Sequence, residues 1–273
     1  MNMTELTIAI GQMDSKIMDK EYNLQIAEAL LEQTGGKADV ICYPELFTTG
    51  YNFDLIGDAF YELAETIPGP TVERLAKKAR SYGTAVIGTI VEKDENLEGV
   101  LYDTTFVINE KGEYIGKYRK AHLYPTEHQY FRSGSDFPVF EICGVKTGIA
   151  ICYDHAFGEM FRVLALKGAQ VIFIPSVIPK NFEYLLDLRT RARAQDNQIF
   201  TVAVNRVGSE ADFVYCGNSK IVNPRGDVIC EAGDKEEVVS AKIDLGEIAR
   251  ERKQEMSLRS RRPELYGTLA QQA

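Results

Sequence analysis

Three residues far apart in the chain have types that can share one reaction: Glu45 in YPELFTTGY (43–51), Lys120 in YRKAHLYPTEHQYF (118–131) and Cys152 in GIAICYDHAFGE (148–159). Each stands where an apolar run gives way to polar residues. Each alone has a plain structural explanation: a strand-terminal acid facing water, a lysine on an edge strand, a packed free thiol. Together they supply a base, a cation and a nucleophile, which is what acyl transfer through a thioester requires. Glutamate is a weak base near neutrality, but burial and a neighbouring charge raise its pKa. The residues after Cys152 read as the first turn of a helix. Such a turn stabilises a thiolate and presents backbone N–H groups, Tyr153 first, to an oxyanion. A Cys–His pair is the alternative, because His155 follows one helical turn after Cys152. No Asn or Asp with an orienting role stands out from spacing, so His155 is read as a pocket-lining or helix-surface residue. His122 and His128 are read as local hydrogen-bonding or pocket residues.

These residues need elements to hold them. Residues 5–12, 38–45, 84–93 and 169–176 read as buried strands, and 145–154 as a strand leading into a helix over 159–167. Residues 104–120 form a hairpin turned by Glu110-Lys111-Gly112-Glu113. Residues 24–33 have helical spacing and stop at Gly35-Gly36, and 71–82 form an amphipathic helix between Pro70 and Gly83. Residues 182–197 are helical and rich in arginine, whereas 199–208, 216–232 and 236–245 are strands. From about Gly246 the chain becomes a charged, polar tail. Two strand-rich halves meet around 120–145, and no linker divides them, so the chain is expected to be a single domain over 1–273. Many short buried strands with intervening helices predict an α/β fold of sheet packed on sheet with helices outside.

The chain resembles the nitrilase superfamily of carbon–nitrogen hydrolases in the three segments above, in order and at family-like spacing. Further matches are Arg191, Ala192 and Asn197, then Asn205-Arg206, GNSKIVNPRGDV (217–228) and RRPELY (261–266). The resemblance implies a four-layer α-β-β-α sandwich and a homo-oligomer formed through helix-bearing faces. It implies that Cys152 is the nucleophile and Glu45 the general base and acid. Lys120 and the Tyr153 N–H would hold the oxyanion. Glu127 matches a second family glutamate that orients the lysine or the substrate; without the resemblance it reads as a solvated loop acid. Gly158 and Ser133 replace prolines common in the family, and Glu159 is expected to be structural and to pair with Arg162.

The expected reaction is hydrolysis of a non-peptide C–N bond in a small amide or N-carbamoyl amine, with release of ammonia. Tyr153-Asp154 follow the cysteine where nitrile-cleaving members tend to have Trp-Glu, which favours an amide or carbamoyl substrate. Family members that bind α-carboxylates often carry arginine three or four residues after the cysteine. Here His155 and Ala156 stand there, which lowers the expectation of an acidic substrate such as the ω-amide of a dicarboxylate, although an arginine from 182–197 could still supply that charge. The loop 176–185 is expected to line the pocket, giving Ser176 and Phe182 as substrate-binding candidates beside Tyr51, Tyr153 and His155; Phe182, Tyr184 and Tyr51 would shape an apolar wall. A non-catalytic interaction protein on the same fold is the other class of reading, and retention of all three chemical residues argues against it.

Composition sets outer bounds. A formal net charge of −9 disfavours nucleic-acid partners. No apolar run is long enough for a membrane span, and MNMTELTIAI has no secretory pattern. Five cysteines without regular spacing argue against a disulfide framework and for a reducing cytoplasm. With three histidines and neither CxxC nor HExxH, no metal or other cofactor is expected.

Overall fold

A computed structural model describes residues 4–271. The first half alternates strands β1 (Glu5–Gln12), β2 (Val40–Cys42), β3 (Ala85–Lys93), β4 (Leu101–Ile108) and β5 (Tyr114–Arg119) with helices α1 (Lys20–Thr34), α2 (Phe53–Ile56), α3 (Ala59–Leu63) and α4 (Pro70–Tyr82). The second half supplies β6 (Val139–Ile142), β7 (Val145–Ile149), β8 (Val171–Ser176) and β9 (Phe200–Asn205). A small hairpin, β10 (Ser209–Glu210) and β11 (Phe213–Val214), precedes β12 (Lys220–Val222), β13 (Val228–Glu231) and β14 (Glu237–Asp244). Its helices are α5 (Gly158–Leu166), α6 (Glu183–Asn197) and α7 (Gly246–Gln254).

Two six-stranded sheets result, ordered β14-β1-β2-β3-β4-β5 and β13-β12-β9-β8-β7-β6. Each is built on three parallel strands, β1-β2-β3 and β7-β8-β9, flanked by antiparallel neighbours. Period-two alternation explains the layering. Ile8, Ile10, Val40, Cys42 and Ile87 point into a core shared with Ile149, Ile172, Ile174, Val202 and Val204 of the other sheet. Ala9, Ile41 and Val86 point the opposite way, against Leu24, Leu31, Leu75 and Ala79 of α1 and α4. On the far side Met160, Phe161 and Leu164 of α5 join the core. The product is the expected four-layer α-β-β-α sandwich, and each buried aliphatic side chain in it contributes roughly 1.5–3 kcal/mol.

The structure redraws several elements. The strand expected over 216–232 is two strands, because Asn223 folds the chain back through its side-chain oxygen, which accepts from the Arg225 and Asp227 N–H groups. The last strand does not stay with its own half: β14 pairs antiparallel with β1 over Glu5–Gln12, tying the end of the fold to its start. The polar tail begins with α7, whose only buried residue is Ile248.

Candidate active site

The parallel strands end at one rim, where α/β sheets commonly bind ligands. Glu45 lies three residues beyond the end of β2, in a segment still tied to β3: Tyr43 N donates to Ile87 O at 3.0 Å and Phe47 N to Thr89 O at 3.2 Å. Gly88 permits this, since a Cβ there would come within 2.9 Å of the Phe47 ring and 2.5 Å of the Phe106 ring. Leu46 takes a left-handed φ of 47°, turning the chain sharply and leaving Glu45 almost wholly buried. Lys120 follows β5 and is pinned through its backbone, donating to Asp103 O at 2.9 Å and accepting from Gly134 N at 2.8 Å.

The Lys120 Nζ lies 2.6 Å from Glu45 Oε1, 2.6 Å from Glu127 Oε1 and 3.5 Å from Asp103 Oδ2, and all four side chains are fully buried. Glu127 opens a 3-10 turn and has both oxygens engaged. Its Oε1 also accepts from the Tyr51 hydroxyl at 2.5 Å, and its Oε2 accepts from Tyr124 N at 2.9 Å. A solvated loop acid it is not. Burial alone would pull the Lys120 pKa down, but Glu127, Glu45 and Asp103 outweigh it and hold the ammonium well above its ordinary range. Glu45 is raised from the usual carboxylate value, because burial and Glu127 outweigh the attraction of Lys120.

The cysteine comes from the other sheet. Strand β7 ends at Ile149, and Ala150 N still donates to Phe173 O at 2.9 Å. Cys152 then adopts φ of 42°, a left-handed conformation uncommon for a residue with a Cβ. The residue remains partly exposed while its thiol is buried. Burial first, then Glu45, pushes the thiol pKa well above its ordinary value, and Lys120 and the Val177 N–H act the other way. The resting group is therefore a thiol. The expected α-helical turn after it is a 3-10 turn over Cys152–Ala156, and α5 starts only at Gly158. Five residues of 3-10 structure carry little macrodipole, so Glu45 and Lys120 dominate the local field instead.

The two sheets are stitched together by an acid that spacing did not reveal. Asp154 is fully buried and accepts from Ile151 N at 2.8 Å beside the cysteine, from the Tyr118 hydroxyl at 2.7 Å, and from His122 N at 3.0 Å. Its Oδ1 also lies 2.7 Å from His122 Nδ1. One carboxylate thus fixes the cysteine turn against the segment that carries Lys120. Asn205 does similar work for the loop after β8, accepting from Ile178 N at 2.7 Å and donating to Ile178 O at 3.1 Å. Glu210 accepts from the Tyr51, Asn52 and Tyr215 donors and pairs with the buried Arg206, anchoring the Tyr51 turn to the second half of the chain.

The remaining expectations meet mixed outcomes. Tyr51 donates a hydrogen bond to Glu127 through its hydroxyl, while its ring packs edge-on against Phe53 at 5.1 Å. Ser176 is buried and its hydroxyl donates to Ile174 O at 3.0 Å. Phe182 and Tyr184 are exposed. The Tyr153 ring packs edge-on between Tyr124 and Phe157, at centroid distances of 5.3 and 5.4 Å. His155 is buried rather than on a helix surface. Its Nε2 meets Arg189 Nη1 at 2.8 Å, and burial together with Arg189 and Arg193 pulls its pKa to about 3, which leaves it neutral. Nothing in these contacts pairs it with Cys152. His122 stacks on Phe157 at 3.8 Å, and His128 is exposed. Arg162 does not pair with Glu159: its Nη2 donates to Asp196 O at 2.6 Å. Oxygens of Glu45, Asp103 and Glu127 lie within 4.8 Å of one another, a spacing a divalent ion accepts. The Lys120 ammonium is already the cation within reach of all three.

The carbon–nitrogen hydrolase family model matches residues 7–253. The nitrilase of Pyrococcus abyssi is 36% identical over 268 residues, covering 95% of this chain and 98% of that protein. The 2-oxoglutaramate amidase of Bacillus subtilis is 36% identical over 246 residues, covering 89% of this chain and 92% of that one. Among solved structures, a carbon–nitrogen hydrolase from Helicobacter pylori G27 superposes with a TM-score of 0.92 at 25% identity, over 98% of this chain and 99% of that one. A variant of the amidase from Nesterenkonia sp. AN1, in which acrylamide has added to the active-site cysteine, superposes with a TM-score of 0.84 at 25% identity over 97% of this chain and 99% of that one.

Proposed function

The chain belongs to the carbon–nitrogen hydrolase family, and from that premise we propose that it hydrolyses a small amide or N-carbamoyl amine through a thioester on Cys152, releasing ammonia. The observation that carries the reading is the contact of Lys120 Nζ with Glu45 and Glu127, each at 2.6 Å, in a buried cluster whose charges act on the Cys152 sulfur. A thiol held above its usual pKa cannot attack unaided. Glu45, raised toward neutrality, takes the thiol proton as the S–C bond forms. Lys120 and the Tyr153 N–H then stabilise the oxygen of the tetrahedral adduct. Glu45 returns the proton to the departing nitrogen, the C–N bond breaks and ammonia leaves. It next takes a proton from water as the water attacks the thioester, and finally reprotonates the sulfur as the acid departs. Glu127 accepts from Lys120 and Tyr51, and so orients the lysine.

The relatives at 36% identity include proteins named nitrilase and 2-oxoglutaramate amidase, so amide substrates with and without a second carboxylate belong in the test. His155 and Ala156, at the positions where carboxylate-binding members carry arginine, favour an uncharged acyl group. We read the whole chain as one domain, since its last strand closes on its first. Five free cysteines fit a reducing cytoplasm, and no helix among the described residues is long and apolar enough to cross a membrane. A homo-oligomer fits the exposed Val163, Leu166 and Leu188 on α5 and α6.

The test is a panel of aliphatic amides, ω-amides of dicarboxylates and N-carbamoyl amines scored by ammonia release, with Cys152→Ala in parallel. We expect the uncharged amides or carbamoyl amines to turn over fastest and Cys152→Ala to abolish release while keeping the fold. Near-normal turnover by Cys152→Ala would refute the assignment, and a preference for ω-amides would move the substrate to the dicarboxylate class.

A further inference from the structure

Asp103 is the member of the buried cluster that this reaction leaves without a task. It sits in the interior of β4 and is fully buried, and neither carboxyl oxygen has a hydrogen-bond partner among the described residues. Glu45 Oε2 is likewise without one, although Glu45 Oε1 is bound to Lys120. Carboxyl oxygens of Asp103, Glu45 and Glu127 fall within 4.8 Å of one another. The charged groups facing Asp103 are Glu45 beyond β2, Lys120 beyond β5 and Glu127 in its 3-10 turn. Three carboxylates against one ammonium would leave two uncompensated negative charges in a dry site. Like charges that share a buried site do not all ionise, and one of the groups retains a proton.

The distances select which one. Glu45 and Glu127 each lie 2.6 Å from the Lys120 ammonium, while Asp103 lies at 3.5 Å. Glu127 accepts two further hydrogen bonds, which favour its charged form. Asp103 accepts none through its side chain. Burial and then Glu45 also push its pKa well above the usual carboxylate range.

We propose that Asp103 is a positioning residue kept as the neutral acid, its proton directed at the unoccupied oxygen of Glu45. An oxygen with two lone pairs can accept that bond and still receive the thiol proton. Asp103 so fixes the orientation of Glu45 and, being neutral, adds no repulsion to raise the pKa of the base further. Its proton stays on Asp103 throughout the cycle, so the balance of proton transfers is unchanged. The inference rests on the reading of Glu45 as the base.

Two substitutions and one spectrum test it in the full-length enzyme. Asp103→Val removes the donor. We expect kcat to fall at least about tenfold with KM little changed, and the acid limb of kcat to move to higher pH by about one unit, equivalent to that tenfold change. Asp103→Asn keeps an N–H donor and no charge, so it should restore most of kcat and return the acid limb to the wild-type position. An acid limb shifted down by a unit or more in Asp103→Asn would show that the wild-type aspartate is ionised, and would overturn the proposal. So would wild-type kinetics in Asp103→Val. Independently of turnover, infrared spectra of protein labelled with 13C-aspartate at neutral pH should contain a protonated carboxyl band that Asp103→Asn lacks. An identical spectrum in that variant would overturn the proposal even if no amide in the panel were a substrate, whereas the amide reading would fail on ammonia release alone.

Discussion

The two sheets make opposite contributions to one site. The first supplies Glu45, Lys120, Asp103 and Glu127, all buried, with the three acids gathered round the Lys120 ammonium and Tyr51 bound to Glu127. The second supplies a single cysteine on a left-handed turn, partly open to solvent. Proton transfer benefits from a dry, fixed cluster, where charges are strong and pKa values move. In the proposed reaction the nucleophile must instead be reached by substrate. Separating the two tasks onto two sheets lets each be met by its own local packing, and Asp154 sets the register between them.

Breaking the packed side should cost far more stability than altering the open side. Lys120→Met removes the cation from between two carboxylates at 2.6 Å. Breaking a buried pair in this way typically costs about 3–5 kcal/mol, and loss of an oxyanion donor costs about 10²–10³ in rate. Chemical denaturation should therefore show a loss of at least about 3 kcal/mol, partly recovered when Glu127→Gln is added. A variant within about 1 kcal/mol of wild type would mean that the cluster is not the electrostatic unit described. Cys152→Ala, by contrast, should leave stability nearly unchanged.

A smaller effect sharpens the same contrast. Tyr51→Phe removes one hydrogen bond to a charged oxygen of Glu127, which keeps Lys120 and the Tyr124 N–H. Hydrogen bonds to charged groups contribute about 1.5–3 kcal/mol. We expect a destabilisation near the lower end and a several-fold fall in kcat, both well short of Lys120→Met. Losses as large as those of Lys120→Met would place Tyr51 in direct contact with the reacting groups.

The contrast also explains what is legible in the sequence. Glu45, Lys120 and Cys152 stand out because each ends a buried apolar run, and strand ends at one rim converge. The layered fold follows from alternation, as in β1, where Ile8 and Ile10 face one core and Ala9 the other. Asp103 is hidden by the same alternation, since an acid inside LYDTTFVI looks like the polar phase of a half-exposed strand. The available signal was the run TTFVI directly after it, which is buried throughout. Asp154 is hidden because its partners, Tyr118 and His122, lie 36 and 32 positions away. Tyr51 reads as apolar lining because its hydroxyl partner is 76 positions distant. Helix α7 reads as a polar tail because GEIARERKQ buries only Ile248, too little for periodicity to register.

Intact-protein mass spectrometry of Glu45→Gln mixed with an amide that wild type hydrolyses tests whether Glu45 is the base for a thioester on Cys152. The carboxamide of this variant can hydrogen-bond within the site but cannot accept a proton from water. Hydrolysis should therefore slow sharply, with any acyl adduct that forms mapping by peptide analysis to Cys152. A slowly deacylating amide should give the same adduct transiently on wild type. Turnover of Glu45→Gln at the wild-type rate, or an adduct on another residue, would contradict the account.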